Sequence, residues 1–288
     1  MAISDIHQTS TLDLLSRLLS SMDMTYQDLT YMEELSPYLI LDGHRTGVQG
    51  EHEMSHGYIE GAIFSMRFAK IMQELGAKKI TFLIHTLRNY KTMDRMSAIF
   101  EGVEQIAEQF IQTARESDIR LRYYGHDVHD GYALSKPVKL AEHFTMHCES
   151  FELNYLTNYS EQWGVEHQNE LEYLPEINVI GRFTKGHYSG ANIPGHTNEA
   201  NFIYIQQASI SENWSDEELI VLALSLLKSY LSLKGFVGGK SYTPEEKEEI
   251  KRKREFEAHT DYFDLTNPEK RSKQIMSFSP MGPITIKF

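Results

Sequence analysis

The sequence predicts an α/β protein whose mainly parallel central sheet is flanked by helices. Short apolar runs that stop at Asp-Gly, Gly or a polar residue alternate with longer segments of helical period. Several of those runs are apolar at nearly every position, as strands covered on both faces require. No internal repeat or low-complexity linker interrupts the alternation.

Thr11 to Leu19 reads as a short amphipathic helix, suited to packing on the domain or to lying on a lipid surface. Tyr38-Leu39-Ile40-Leu41 is a buried strand closing at Asp42-Gly43. Ile59, Ala62, Ile63, Met66, Ala69 and Met72 then recur at helical spacing until Gly76, a C′ glycine. Lys79 to His85 forms a second strand, and Met93 to Ser117 a long helix. Ile119, Leu121 and Tyr123 alternate with arginines up to Gly125, a third strand with one more exposed face. A helix over Lys136 to His147 leads into a strand at Phe151 to Leu156. Ile177 to Ile180 and Asn201 to Ile205 give two more strands. Ser215 and Glu218 form a capping box for a helix from Asp216 to Leu233. Residues 36–235 make the α/β domain, preceded by a helical extension (1–35) and followed by a helical tail (236–288). The acids-then-bases run Glu245 to Glu255 suits a solvated helix.

The formal net charge of −13 over 288 residues excludes a broad electrostatic grip on nucleic acid, while leaving room for a local basic pocket. The single cysteine, Cys148, excludes an internal disulfide and fits a reducing cytosol, so a cytoplasmic location is expected. No apolar run reaches the roughly 18 residues of a membrane span. The MAISDIHQTS start lacks the basic-then-apolar order of a signal peptide. Peripheral membrane contact remains open.

In parallel sheets, ligands gather at the carboxyl ends of strands. Asp42, His85 and the segment after Ile180 all fall there. Residues 39–62 hold two competing signals. His52, Glu53 and His56 spell H-E-x-x-H, which on one helix would aim both imidazoles at a zinc ion. The third ligand is missing: Ile59 and Ala62 occupy the positions of the extended motif. Glu74 lies about 27 Å from His56 along a straight helix rising 1.5 Å per residue. Polar residues in a loop before the helix account for the pattern more simply.

The other signal is Asp42-Gly43-x-Arg45. "YLILDGHR", followed by a helix and "MQELGAKKITFLIHTLRNYK", resembles the opening of the cis-prenyltransferases, the undecaprenyl diphosphate synthase family. The likeness continues through "IRLRYYG", "FELNYLTNY" and "ENWSDEEL", covering about residues 36 to 232. The family's segment for a second diphosphate is altered here to "VIGRFTKGHYSGANIPG": Arg182 stands for its first arginine, and its metal-binding glutamate is His187 or missing. "GRFT", "NFIYIQQAS" and the tail from Leu233 are similar to the branch of tuberculosinol synthase and tuberculosinyl adenosine transferase. Losing a cation and a carboxylate weakens a diphosphate site, because phosphate recognition rests on charge-assisted bonds.

The resemblance implies a Mg²⁺-dependent, homodimeric enzyme acting on prenyl diphosphates. Asp42 would hold Mg²⁺ or act as base, although Asp-Gly is also an ordinary turn. Gly43 would let the backbone approach the phosphates. His44, Arg45, His85, Arg88, Arg182 and His187 would contact the diphosphate. Asn89 would orient the captured nucleophile or only satisfy its loop. Arg182 could instead serve a salt bridge. Tyr58 would face a carbocation or simply fill the core.

Overall fold

The computed structural model describes residues 13–41, 54–86, 93–126, 128–129, 132–133, 135–183, 192–197, 200–206, 214–237, 243, 245, 248, 274–279 and 282–287. Helix α1 spans 13–21 and precedes a 3₁₀ turn, Asp28–Glu33. Then come β1 (Pro37–Ile40), α2 (Met54–Glu74), β2 (Lys79–Leu83), α3 (Met93–Glu116) and β3 (Ile119–Tyr124). A short hairpin, β4 (Val128–His129) and β5 (Tyr132–Ala133), leads to α4 (Ser135–Thr145) and β6 (Phe151–Leu156). Two short helices, α5 (Glu161–Glu166) and α6 (Gln168–Leu171), precede β7 (Val179–Phe183) and β8 (Asn201–Gln206). Helix α7 (Asp216–Val237) and the strands β9 (Gln274–Ser279) and β10 (Gly282–Lys287) follow.

The sheet runs β10-β9-β8-β7-β1-β2-β6-β3, and the six strands from β8 to β3 are parallel to their neighbours. The expected mainly parallel sheet is therefore present. Strand β1 lies between β2 and β7, so successive connections leave it in opposite directions. That reversal is the topological switch point where open α/β sheets form a crevice beyond their strand ends.

Alternation along each strand splits the core in two. Leu39, Phe82, Leu121, Leu153, Tyr155, Val179 and Phe183 join the larger cluster with residues of α2, α3 and α7. Tyr38, Ile40, Leu83, Leu156 and Ile180 point the other way, onto Tyr159, Trp163, Leu171 and Leu174. Leu14, Leu15 and Leu18 of α1 pack on the larger cluster.

Local signals set the element ends. Gly76 has φ +98°, a conformation that costs a Cβ-bearing residue. The Ser215 amide donates to Glu218 Oε2 (2.7 Å), and the Glu218 amide donates back to Ser215 Oγ (3.3 Å). This reciprocal cap, worth roughly 1 kcal/mol, starts α7 where the sequence places it. The C-terminal tail differs from expectation. Its residues 274–279 and 282–287 are strands rather than helix, and β9 pairs antiparallel with β8. Helix-favouring composition in the preceding charge run says nothing about this edge. The pairing depends on backbone groups of β8 that are distant in sequence.

Candidate active site

A partly open cavity lies on the face of the sheet that carries the larger core cluster. It has about 810 Å³ of empty space, counting the open solvent at its mouth. Leu41, His85 and Thr157 border it where β1, β2 and β6 end. Helix α2 contributes Tyr58, Gly61, Ala62 and Ser65. Helix α3 contributes a line from Ile99 to Phe110, and α4 closes a side with Pro137, Val138 and Ala141. Ile99 and Phe110 are eleven positions apart, so this wall runs about 16 Å. The lining is overwhelmingly apolar.

Small residues make the space. A Cβ on Gly102 would stand 3.1 Å from the Ser55 carbonyl oxygen and 3.3 Å from Tyr58 Cβ. Gly102 thus allows α3 to approach the first turns of α2, which seats Tyr58 at the cavity wall.

The inner wall is aromatic. Tyr155 stacks on Tyr123 (centroids 5.3 Å apart) and lies beside Phe82 (6.0 Å) and Phe110 (5.9 Å). Ser65 Oγ donates to the Ala62 carbonyl (2.8 Å), so the Tyr155 hydroxyl donates to Ser65 Oγ (2.7 Å). An unmade bond at such a buried hydroxyl would cost about 1–3 kcal/mol. Burial pushes the Tyr155 and Tyr123 phenols well above their ordinary range, and Glu142 adds to the rise at Tyr123. Both therefore remain neutral dipoles and π faces near neutral pH.

At the strand ends a polar network replaces apolar contact. His85 is 3 % exposed. Its Nε2 lies 3.1 Å from Asn158 Oδ1 and 3.0 Å from Thr157 Oγ1. Asn158 Nδ2 donates to the His126 carbonyl (3.0 Å), and His126 Nε2 meets Ser160 Oγ (3.3 Å). Ser160 caps α5 through the Trp163 amide. The backbone here is unusual: Gly125 has φ +143° and Asn158 φ +50°.

Glu142 ties α4 to β3 by accepting from the Tyr123 amide (3.0 Å). Burial raises its carboxyl above the usual range, opposed by that amide and by Arg122, Lys139 and Arg120. An acid with a raised folded value costs stability when it ionises. That cost is absent below its unfolded value and complete above its folded one. Glu142→Gln, which retains an oxygen for the amide, is expected to give a small rise in Tm at neutral pH and none in acid. Thermal melts across that range check this.

Of the residues singled out in the sequence, Tyr58 and His85 come together at the cavity. Arg182 is buried (6 % exposed) in β7 opposite Ile40. Alternation puts it on the Ile40 face, so it flanks the switch point without lining this cavity. Asp42, Gly43, His44, Arg45, Arg88, Asn89 and His187 lie outside the described residues, as do His52 and Glu53. His56 pairs with Glu60 (3.4 Å), and helix α2 continues unbroken to Glu74. Among the described residues no cluster of three or more His, Cys, Asp or Glu could hold a metal ion. No described helix is long and apolar enough to cross a membrane.

Sequence reasoning missed Thr157, Asn158, Ser65 and Tyr155. Thr157-Asn158 carried a usable signal, since Asn after an apolar strand marks a turn at a carboxyl end. Ser65 and Tyr155 carried none, because their partnership spans 90 positions.

Six parallel strands with an apolar cavity beneath two crossover helices define the cis-prenyltransferase type of α/β fold. Solved structures share it. Lavandulyl diphosphate synthase from Lavandula x intermedia, in complex with dimethylallyl diphosphate, aligns with TM-score 0.56 and 14% identity over 68% of this chain and 94% of that one. A probable undecaprenyl diphosphate synthase from Campylobacter jejuni aligns with TM-score 0.51 and 13% identity over 72% and 97%. At such identities the likeness establishes the fold. No protein-family model and no curated protein matches the sequence.

Proposed function

We propose that the protein is a terpene synthase or prenyl diphosphate-consuming transferase. It ionises one allylic or cyclic prenyl diphosphate, releases diphosphate, and quenches the cation with water, another nucleophile or deprotonation. The observation that carries this is the long apolar cavity ending at Leu41, the residue directly before Asp42-Gly43-x-Arg45. A greasy chain and a polyanionic head need just such adjoining environments.

Breaking the C–O bond leaves a diphosphate of about three negative charges, which cations and backbone N–H groups stabilise most effectively. Arg45, Arg88 and Arg182 are the proposed cations, with Gly43, His44, His85 and His187 completing the head-group site. Mg²⁺, when bound, would draw charge from the leaving group, and Asp42 is its proposed ligand. Because Asp42 lies outside the described residues, no step is routed through the ion. Tyr58 and the Tyr123–Tyr155 pair present π faces to the cation, and the apolar walls exclude bulk water. Asn89 would orient the nucleophile. A cytoplasmic homodimer, with peripheral membrane contact left open, belongs to this reading.

The altered segment Val179 to Gly195 speaks against a second diphosphate. The fold shared with two prenyl diphosphate synthases favours the rival, a chain-elongating transferase using isopentenyl diphosphate. A non-catalytic partner subunit is a further rival. The protein with Mg²⁺ and farnesyl or geranylgeranyl diphosphate is expected to release diphosphate without isopentenyl diphosphate. Product growth only when isopentenyl diphosphate is added would establish the elongating rival instead. No release under either condition would favour the partner subunit.

A further inference from the structure

We propose that Thr81, Asn154 and Tyr124 hold one internal water molecule directly behind the aromatic wall of the cavity, tying β2, β6 and β3 together from the other face of the sheet. Each of these strands puts an aromatic ring on the cavity face and a polar side chain, next to it in sequence, on the opposite face. The pairs are Phe82 with Thr81, Tyr155 with Asn154, and Tyr123 with Tyr124. Thr81 and Asn154 stand opposite each other in the β2–β6 ladder. Tyr124 lies two residues beyond Arg122, the β3 partner of Asn154.

The warrant is the state of the three polar atoms. Thr81 and Asn154 are fully buried and Tyr124 nearly so. Thr81 Oγ1, Asn154 Oδ1 and the Tyr124 hydroxyl are enclosed, yet none has a hydrogen-bond partner among the described residues. Native interiors seldom leave such atoms unpaired, and an ordered water with about three polar partners is the common solution.

The chemistry of each atom fits a water. Asn154 Nδ2 donates to Glu152 Oε1 (3.1 Å), and Arg122 Nε donates to Glu152 Oε2 (2.9 Å). A carboxylate only accepts, so the amide orientation is fixed and Asn154 Oδ1 is left as a pure acceptor. Burial and the same Glu152 carboxylate push the Tyr124 phenol above its ordinary range. It stays protonated near neutral pH and can donate. The occupant must therefore donate to Asn154 and accept from Tyr124, with Thr81 able to take either role. Arg122 and Glu152 neutralise each other nearby, which favours a neutral occupant. Water, with two donors and two acceptors, meets every requirement.

Thr81→Val and Tyr124→Phe each remove a hydroxyl with little change of shape. If these hydroxyls were unpaired, removing them would relieve a penalty and raise the urea midpoint. If they bind water, each variant lowers the midpoint by a few tenths of a molar at unchanged slope, which is the expected result. Because both would serve the same molecule, the double variant should lose less than the sum of the single losses. Relaxation dispersion of ¹⁷O water counts long-lived internal waters directly, and the double variant is expected to hold one fewer than the wild type. A midpoint at or above that of the wild type in either single variant overturns the inference. So do additive losses, which would mean separate environments, and an unchanged water count. None of these readouts involves a prenyl diphosphate, so the result is independent of the proposed reaction.

Discussion

Asp42→Ala is expected to slow diphosphate release from an allylic prenyl diphosphate by about 10²–10³-fold, the usual cost of removing one electrostatic stabiliser of a transition state. Ionisation concentrates charge on the departing group, so a group that organises its counter-charges acts mainly on kcat. On the proposed reading the apolar tail would lie elsewhere, along α2 and α3, and KM should change much less. Asp42 immediately follows Leu41, which borders the cavity, and β1 adjoins the switch point of the sheet. Steady-state diphosphate release, with thermal melts as a folding control, measures the effect. Wild-type turnover by a folded Asp42→Ala protein would exclude both the metal and the base role.

Gly125→Ala is expected to be the most damaging small substitution for stability. A methyl group there would sit 1.7 Å from the Thr157 carbonyl oxygen, at φ +143°. The obstructing atom belongs to the backbone, so no rotamer change relieves it. Either the β3 exit or the β6 exit must move. The Thr157 amide donates to the Tyr124 carbonyl (2.9 Å), so movement also strains the end of the sheet. A cost above about 4 kcal/mol is appropriate to such a backbone collision. Urea unfolding should show a lower midpoint at unchanged slope. A midpoint like that of the wild type would mean that these two exits are not fixed against each other.

The sequence alone was enough for the parallel sheet. Apolar runs such as Tyr38–Leu41 and Phe151–Leu156 record burial on both faces. Gly76 and the Ser215–Glu218 cap mark helix ends through purely local sterics and hydrogen bonding. It also pointed to His85, because a strand exit can be located from its own neighbours, whereas Tyr58 was singled out only through the resemblance to a known family. Tertiary structure decided the rest. The Ser65–Tyr155 bond, the Gly102 contact with α2 and the Asn158 clamp on His85 join residues 44 to 90 positions apart. It also put Arg182 on the face opposite the cavity and turned the end of the tail into two strands beside β8. Propensity acts within a few residues, whereas the shape of a cavity and the orientation of a ring depend on which distant surfaces pack together.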